Sequence, residues 1–193
     1  MAVILCVLAG CSQTSTTVAG KRFSMSKGMV DEQLLLKTGN YAGLIKIKQE
    51  ELKKNNSPQT RLQLAEYYYL SGDFNSSLFH LQKLLAAGGD LKVYLLESKN
   101  LSSLKKYKEA LSFVAMALNK NKNNGEALNL KGVIQAEMGD LQGALNSFEL
   151  ARNAYFQEES VVNNIAMIYI VQKRYHEAVQ MLLPVYLRGY RNL

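Results

Sequence analysis

Five short stretches recur along this chain at almost constant spacing. Gly39-Asn40-Tyr41, Gly72-Asp73-Phe74, Lys105-Lys106-Tyr107, Gly139-Asp140-Leu141 and Lys173-Arg174-Tyr175 follow one another at offsets of 33, 33, 34 and 34 residues. Each is a turn followed by an aromatic or aliphatic residue. Three positions after that residue stands a small one in most copies, Ser77, Ala110, Ala144 and Ala178, with Leu44 in the first. A period of this length makes each copy one supersecondary unit that cannot bury its apolar face alone, so copies must stack.

Around the turns the apolar residues run at helical spacing. Upstream lie Leu64-Ala65 with Tyr68, Leu128 with Gly132, and Ile165-Ala166 with Tyr169; downstream lie Leu81 with Leu84, Val114 with Ala117, Phe148 with Ala151, and Leu182 with Val185. Separations of three, four and seven place such residues on one helix face. Each unit therefore reads as two antiparallel helices, with small residues where the axes approach most closely. The stretches Asn55-Asn56-Ser57-Pro58, Gly88-Gly89-Asp90 and Asn121-Lys122-Asn123-Asn124 fall at the joints, where Asn, Gly and Pro stop one helix and start the next. Pro184, inside the last helical pattern, is expected to kink that helix or end it early. No strand pattern competes, and the fold class is all-α.

The pattern resembles the tetratricopeptide repeat, over roughly Met25 to the end, as a solenoid of about five antiparallel helix pairs. The fit is best over Gly125 to Glu158, where Leu128, Gly132, Gly139-Asp140, Ala144, Phe148 and Ala151 match in register. The first unit carries Glu32, Lys48 and Glu51 where the family usually places small or apolar residues, which suggests a cap with a polar outer face. In such domains the first helices of successive units line a concave side that often binds an extended peptide or a partner's helix. The resemblance carries that groove onto Leu62, Glu66, Tyr69 and Leu70, then Leu95 and Lys99, then Asn129, Val133 and Glu137, and finally Asn163, Met167 and Ile170. Asn129 and Asn163 share one repeat position, 34 residues apart. A carboxamide there both donates and accepts, which suits a peptide main chain; the alternative is that both are tolerated exposed polar residues.

The N-terminus is of another kind. A short apolar run, Ala2 to Ala9, closes on Leu8-Ala9-Gly10-Cys11. It is far short of the ~20 residues that span a bilayer, so it reads as a signal rather than as part of the fold. The run resembles a bacterial lipoprotein signal, which implies cleavage before Cys11 and acylation of that residue. Three acyl chains make a practically permanent tether. Ser12 in place of Asp implies export to the outer membrane, on its periplasmic face. The organisation is then signal peptide 1–10, flexible Ser-, Thr- and Gly-rich tether 11–26 and repeat domain 27–193.

The net charge of +7 comes from Lys and Arg scattered singly or in short groups, mostly near helix ends and turns, where cations complement the helix dipole. That is a solvated surface rather than a phosphate-binding stripe, and nucleic acid is not expected as a partner. Cys6 and Cys11 are the only cysteines, one in the signal and one acylated, so no disulfide framework is expected. His80 and His176 are the only histidines, both expected at the surface of second helices and far apart in repeat order. No phosphate loop, metal-spaced set or paired-carboxylate motif appears, and no enzymatic activity, cofactor or metal is expected.

Among lipoproteins with such arrays, the lipobox, short tether, degenerate first unit and motifs Leu130-Lys131-Gly132-Val133 and Asn163-Asn164-Ile165-Ala166-Met167 look most like the TadD family of tight-adherence pilus machines. That resemblance implies help in placing an outer-membrane secretin, with a protein segment as partner. An envelope adaptor that recruits peptidoglycan hydrolases is the alternative. The fifth unit, counted from Glu159, ends near Asn192. The apolar side of Met181, Leu182 and Val185 is therefore expected to lack a covering helix, which implies a longer native chain or self-association through this end.

Overall fold

The computed structural model describes residues 27–190. The apolar run, Cys11 and the tether lie outside the described residues. What is described is helical throughout: α1 Lys27–Lys37, α2 Tyr41–Lys54, α3 Pro58–Leu70, α4 Phe74–Ala86, α5 Leu91–Ser103, α6 Tyr107–Lys120, α7 Gly125–Glu137, α8 Leu141–Asn153, α9 Glu158–Val171 and α10 Tyr175–Tyr190. They form five consecutive antiparallel pairs, and each turn within a pair is one of the five recurring stretches.

Local chemistry explains why the chain reverses there. The first residue of each stretch takes a left-handed conformation, with φ of +66°, +84° and +84° at Gly39, Gly72 and Gly139, and +60° at Lys105 and Lys173. Only glycine adopts that region without a Cβ penalty, so the third and fifth turns carry strain that the others avoid. The next residue starts the second helix. Asn40, Asp73 and Asp140 cap α2, α4 and α8 by accepting from the backbone N–H of Gly43, Ser76 and Gly143, whereas Lys106 makes no side-chain cap on α6.

Within each pair the close approach is made by small residues. Ala65, Ser98, Gly132 and Ala166 on the first helices are buried, as are Ser77, Ala110, Ala144 and Ala178 on the second. At Gly132 a Cβ would lie 2.5 Å from the Phe148 ring. Buried hydroxyls are satisfied across the pair: Ser77 Oγ donates to Ala65 O at 2.8 Å and Ser98 Oγ to Ala110 O at 3.0 Å. Asn100 Nδ2 donates in turn to Ser77 Oγ at 2.9 Å, joining the second and third units through the core.

Stacking decides the curvature. The backbones of the first helices approach one another in succession, α3 with α5, α5 with α7 and α7 with α9, while no two second helices come as close among the described residues. First helices therefore line the inner side of the curve and second helices splay on the outer side. The apolar clusters cross the joints: one joins Leu95, Ala110, Val114, Ala127 and Ile134, another Leu128, Phe148, Val161, Ile165 and Ile168.

Both ends depart from expectation. Glu32 and Lys48 do not form a polar outer face. The Lys48 side chain is buried between α1, α2 and α3, with its ammonium 3.0 Å from both Glu32 and Glu51, and the Tyr67 hydroxyl donates to Glu32 at 2.8 Å. Burial alone would lower the Lys48 pKa, but hydrogen bonds to Glu51 and Glu32 outweigh it and raise the value. The first unit thus replaces part of its apolar core with a paired ion cluster. At the other end α10 continues through Pro184 rather than stopping there. Proline lacks the N–H that would reach back to the Gln180 carbonyl and its ring crowds that carbonyl, but on an exposed helix face the carbonyl can turn away to water. Met181, Leu182 and Val185 are half-buried beside the buried Ala178, so the uncovered apolar side of α10 is a different stripe, Tyr175, Val179, Leu183 and Leu187.

Candidate peptide-binding groove

Along the inner side, α3, α5 and α7, with the α5–α6 turn and the α8–α9 connection, enclose three open recesses that share walls. The first is lined by Glu66, Tyr69, Leu70, Lys92, Leu95, Leu96, Lys99 and Glu126. The second uses Tyr69, Lys99, Ser102, Ser103, Lys105, Tyr107, Leu130, Val133 and Glu137, and the third Lys99, Glu126, Asn129, Leu130, Val133, Phe156 and Gln157. Their volumes, in that order about 340, 350 and 310 Å³, are each room for a side chain or two, and all three open to solvent. Such a chain of shallow recesses accepts an extended segment better than a compact small molecule, which prefers a single enclosed cavity.

Lys99 is common to all three recesses. Its ammonium donates to Glu126 Oε1 at 2.6 Å, bridging the third and fourth units across the groove. Glu66 lies half-buried in the first recess; burial raises its carboxyl pKa, while Lys92 and Lys99 pull it down. Both partners of the central ion pair are a third or more exposed, so an incoming carboxylate or ammonium can compete for either. Around these charges sit Tyr69, Leu70, Leu130 and Val133, partly exposed apolar surface beside polar groups.

Of the groove residues expected from sequence, Glu66, Tyr69, Leu70, Leu95, Lys99, Asn129, Val133 and Glu137 are brought together in these recesses. Leu62 and Leu95 are each only 5% exposed, because leucine at this position turns inward onto the neighbouring helices. Leu62 belongs to the apolar cluster with Leu81 and Val93, and Leu95 contributes only an edge to the groove floor. Asn163, Met167 and Ile170 are exposed on α9, beyond the recesses. Asn129 and Asn163 therefore sit at different depths. Asn129 is half-buried because α9 stacks beside it, and its Oδ1 accepts from Asn164 Nδ2 at 3.0 Å; Asn163 belongs to the last described unit and has no following helix among the described residues.

Lys92, Glu126, Leu130, Phe156 and Gln157 were not expected. A signal for two of them existed: Lys92 and Glu126 share one repeat position, 34 residues apart, next to the helix start, where side chains reach into the groove. Phe156 and Gln157 lie in the α8–α9 connection, which repeat register does not align.

The histidines offer no acid–base pair. His176 is exposed and lies 2.9 Å from Gln180 Nε2. His80 is not a free surface residue: it stacks on Tyr68 at 5.6 Å, with Arg61 Nη1 at 3.4 Å from Nδ1. Burial first, then Arg61 and Lys83, lowers its pKa. Among the described residues no group of three His, Cys, Asp or Glu is placed to hold a metal ion.

No protein-family model matches the chain, and no curated protein does. Solved structures do. The chain is similar to TTC0263, a thermophilic tetratricopeptide-repeat protein of Thermus thermophilus, at 20% identity and a TM-score of 0.69 over 79% of this chain and 84% of that one. It is similar to MamA of Desulfovibrio magneticus RS-1, at 16% identity and a TM-score of 0.67 over 84% and 93%. The fold is a tetratricopeptide-repeat solenoid. A third similar structure is YrrB, a tetratricopeptide-repeat protein with an unusual peptide-binding site, at 19% identity and a TM-score of 0.56 over 78% of each chain. The glycine or lysine turns, small-residue contacts and inner groove described above are this solenoid's own versions of the shared repeat.

Proposed function

We propose that this protein is a lipid-anchored scaffold that holds an extended segment of a partner protein along the inner groove, on the periplasmic face of an outer membrane. The observation that supports it most is the run of three recesses joined through Lys99, with carboxylates, ammonium groups and apolar side chains alternating along it. An extended segment needs hydrogen-bond partners for its backbone and apolar contacts for alternate side chains, and this surface supplies both. That YrrB has a peptide-binding site on the same fold agrees with the reading. The Leu8-Ala9-Gly10-Cys11 run supports the anchor, and the resemblance to the TadD family supports a role in assembling a pilus or secretion machine, with a secretin or its neighbour as the bound component.

The test has two arms. Replacing Asn129, half-buried in the third recess, and Asn163, exposed on α9 beyond it, together with Ala removes two inner-side carboxamides at the cost of the one hydrogen bond from Asn164, so the melting temperature stays near the parent's. Each lost hydrogen bond to a partner is worth about 0.5–1.5 kcal/mol, so capture of secretin-complex components from detergent-solubilised envelope weakens by roughly one to two orders of magnitude. Undiminished capture by the double variant contradicts groove binding. Replacing Cys11 with Ser removes the acylation site, and the variant is expected to lack acyl mass and leave the outer-membrane fraction. Retention there like the parent contradicts the anchor.

A further inference from the structure

The last helix carries more apolar surface than the repeat requires. Tyr175, Val179, Leu183 and Leu187 stand four residues apart along α10, and they are 61%, 58%, 50% and 49% exposed. Repeat register divides this stripe in two. Tyr175 and Val179 correspond to Leu141 and Leu145 of the fourth unit, which are partly buried against the cluster around Phe148. Any unit at the end of a stack exposes those two positions. Leu183 and Leu187 correspond to Glu149 and Asn153, and one unit earlier to Ala115 and Asn119, all exposed. At these positions the fourth unit is polar and wet, and the fifth is leucine. Docking of another repeat accounts for the first half of the stripe and leaves the second half unexplained.

We propose that this stripe is a self-association surface, on which α10 of one copy packs across α10 of a second copy about a two-fold axis. Three properties of the patch point to a second copy. Residues alternating every four positions form the ridge that interdigitates with an identical ridge at a crossing angle of about 50°. An isologous contact needs a surface that matches itself, which a uniform apolar ridge does. Its area suits a weak, reversible contact: the four residues present roughly 400 Å² per copy, so two copies bury roughly 800 Å², at the low end of protein interfaces.

Charge argues in the same direction. From Tyr175 to Leu187 the helix carries no Lys or Arg, and its one carboxylate, Glu177, is 2.8 Å from Arg174. At the far end Arg188 donates to both oxygens of Glu158 at 2.9 and 3.0 Å. The patch is locally neutral on a chain of net charge +7, so two copies meet there with the least mutual repulsion. A strongly acidic or basic partner would gain nothing from it. An anionic membrane surface would seek free Lys or Arg along the helix, and this stretch has none.

Sedimentation of the full chain with Cys6→Ser and Cys11→Ser, which removes acylation and stray disulfides, tests the proposal over a range of roughly 1–200 μM, where interfaces of this size associate. A reversible monomer–dimer equilibrium is expected in that range. The double variant Val179→Glu with Leu183→Glu adds charge only at exposed positions; it is expected to keep the parent's helical circular dichroism while dimerising roughly 30-fold more weakly or worse. Met167→Glu, on the groove side of α9, is expected to dimerise like the parent. A parent that stays monomeric throughout overturns the proposal, as does a Val179→Glu, Leu183→Glu variant that dimerises as well as the parent. A monomer that instead floats with vesicles of zwitterionic lipid, and loses that binding in the double variant, also overturns it and assigns the stripe to a membrane. Groove capture is unaffected by either result, because the stripe lies outside the recesses.

Discussion

One residue at the centre of the solenoid is out of place for a tetratricopeptide core. Glu97 is 7% exposed on α5 and makes no side-chain hydrogen bond among the described residues, and its Oε2 is fully buried. Three residues on, Asn100 Oδ1 is also buried without a donor. Two orphaned acceptors on one helix are costly, and a proton on Glu97 removes the buried charge from one of them. Burial raises its carboxyl pKa from 4.5 to about 7. The folded state then holds a proton that the unfolded state has already released between pH 4.5 and 7. Stability from this group is complete below the unfolded value, falls as pH rises through that window, and is lost above the folded value. Glu97→Gln keeps the shape and supplies N–H donors at every pH. The variant is expected to match the parent near pH 5 and to exceed it near pH 8 by on the order of 2–3 kcal/mol in urea denaturation. Equal parent and variant stabilities on the alkaline side contradict an uncompensated carboxylate there.

At the scale of the element, the five turns are alternative solutions to one geometric demand. Gly72-Asp73 supplies both a residue at ease in the left-handed region and a cap; Lys105-Lys106 supplies neither. Replacing Lys105-Lys106 with Gly-Asp is expected to stabilise the protein by about 1–2 kcal/mol, from relieved strain and a new cap on α6. Chemical denaturation of the parent and the pair variant measures it, and no gain contradicts the turn geometry. This equivalence also explains what was legible in the sequence. Turn spacing and small contact residues are dictated by backbone reversal and axis distance, so they recur in register and can be read. The inward pair of Glu32 and Lys48, with Glu51 at its exposed edge, was not legible, because repeat position says where a side chain starts and not whether a partner will neutralise it. Pro184 does not end α10, because the packing of Ala178, Met181 and Leu182 before it and of Val185 after it holds the helix together. The groove was read in outline from register, but register could not show that Leu62 turns inward or that Phe156 and Gln157, from a connection, complete a recess.

At the scale of the whole molecule, the inner and outer sides differ in what they can offer. First helices approach one another and pool their exposed side chains into continuous recesses, whereas second helices splay and leave exposed residues such as Met116 and Leu150 isolated. Segment binding is therefore expected on the inner side, the stripe on α10 being the one contiguous apolar surface described on a second helix. Site-specific photo-cross-linking in the native host cell measures that claim directly, with a photoreactive amino acid placed either at Val133, in the groove, or at Leu150, on a second helix. The account predicts a discrete cross-linked species of higher mass from Val133 that excess unlabelled groove protein competes away, and none from Leu150. Cross-linking from Leu150 with Val133 silent would contradict it, and would move the binding surface to the outer side.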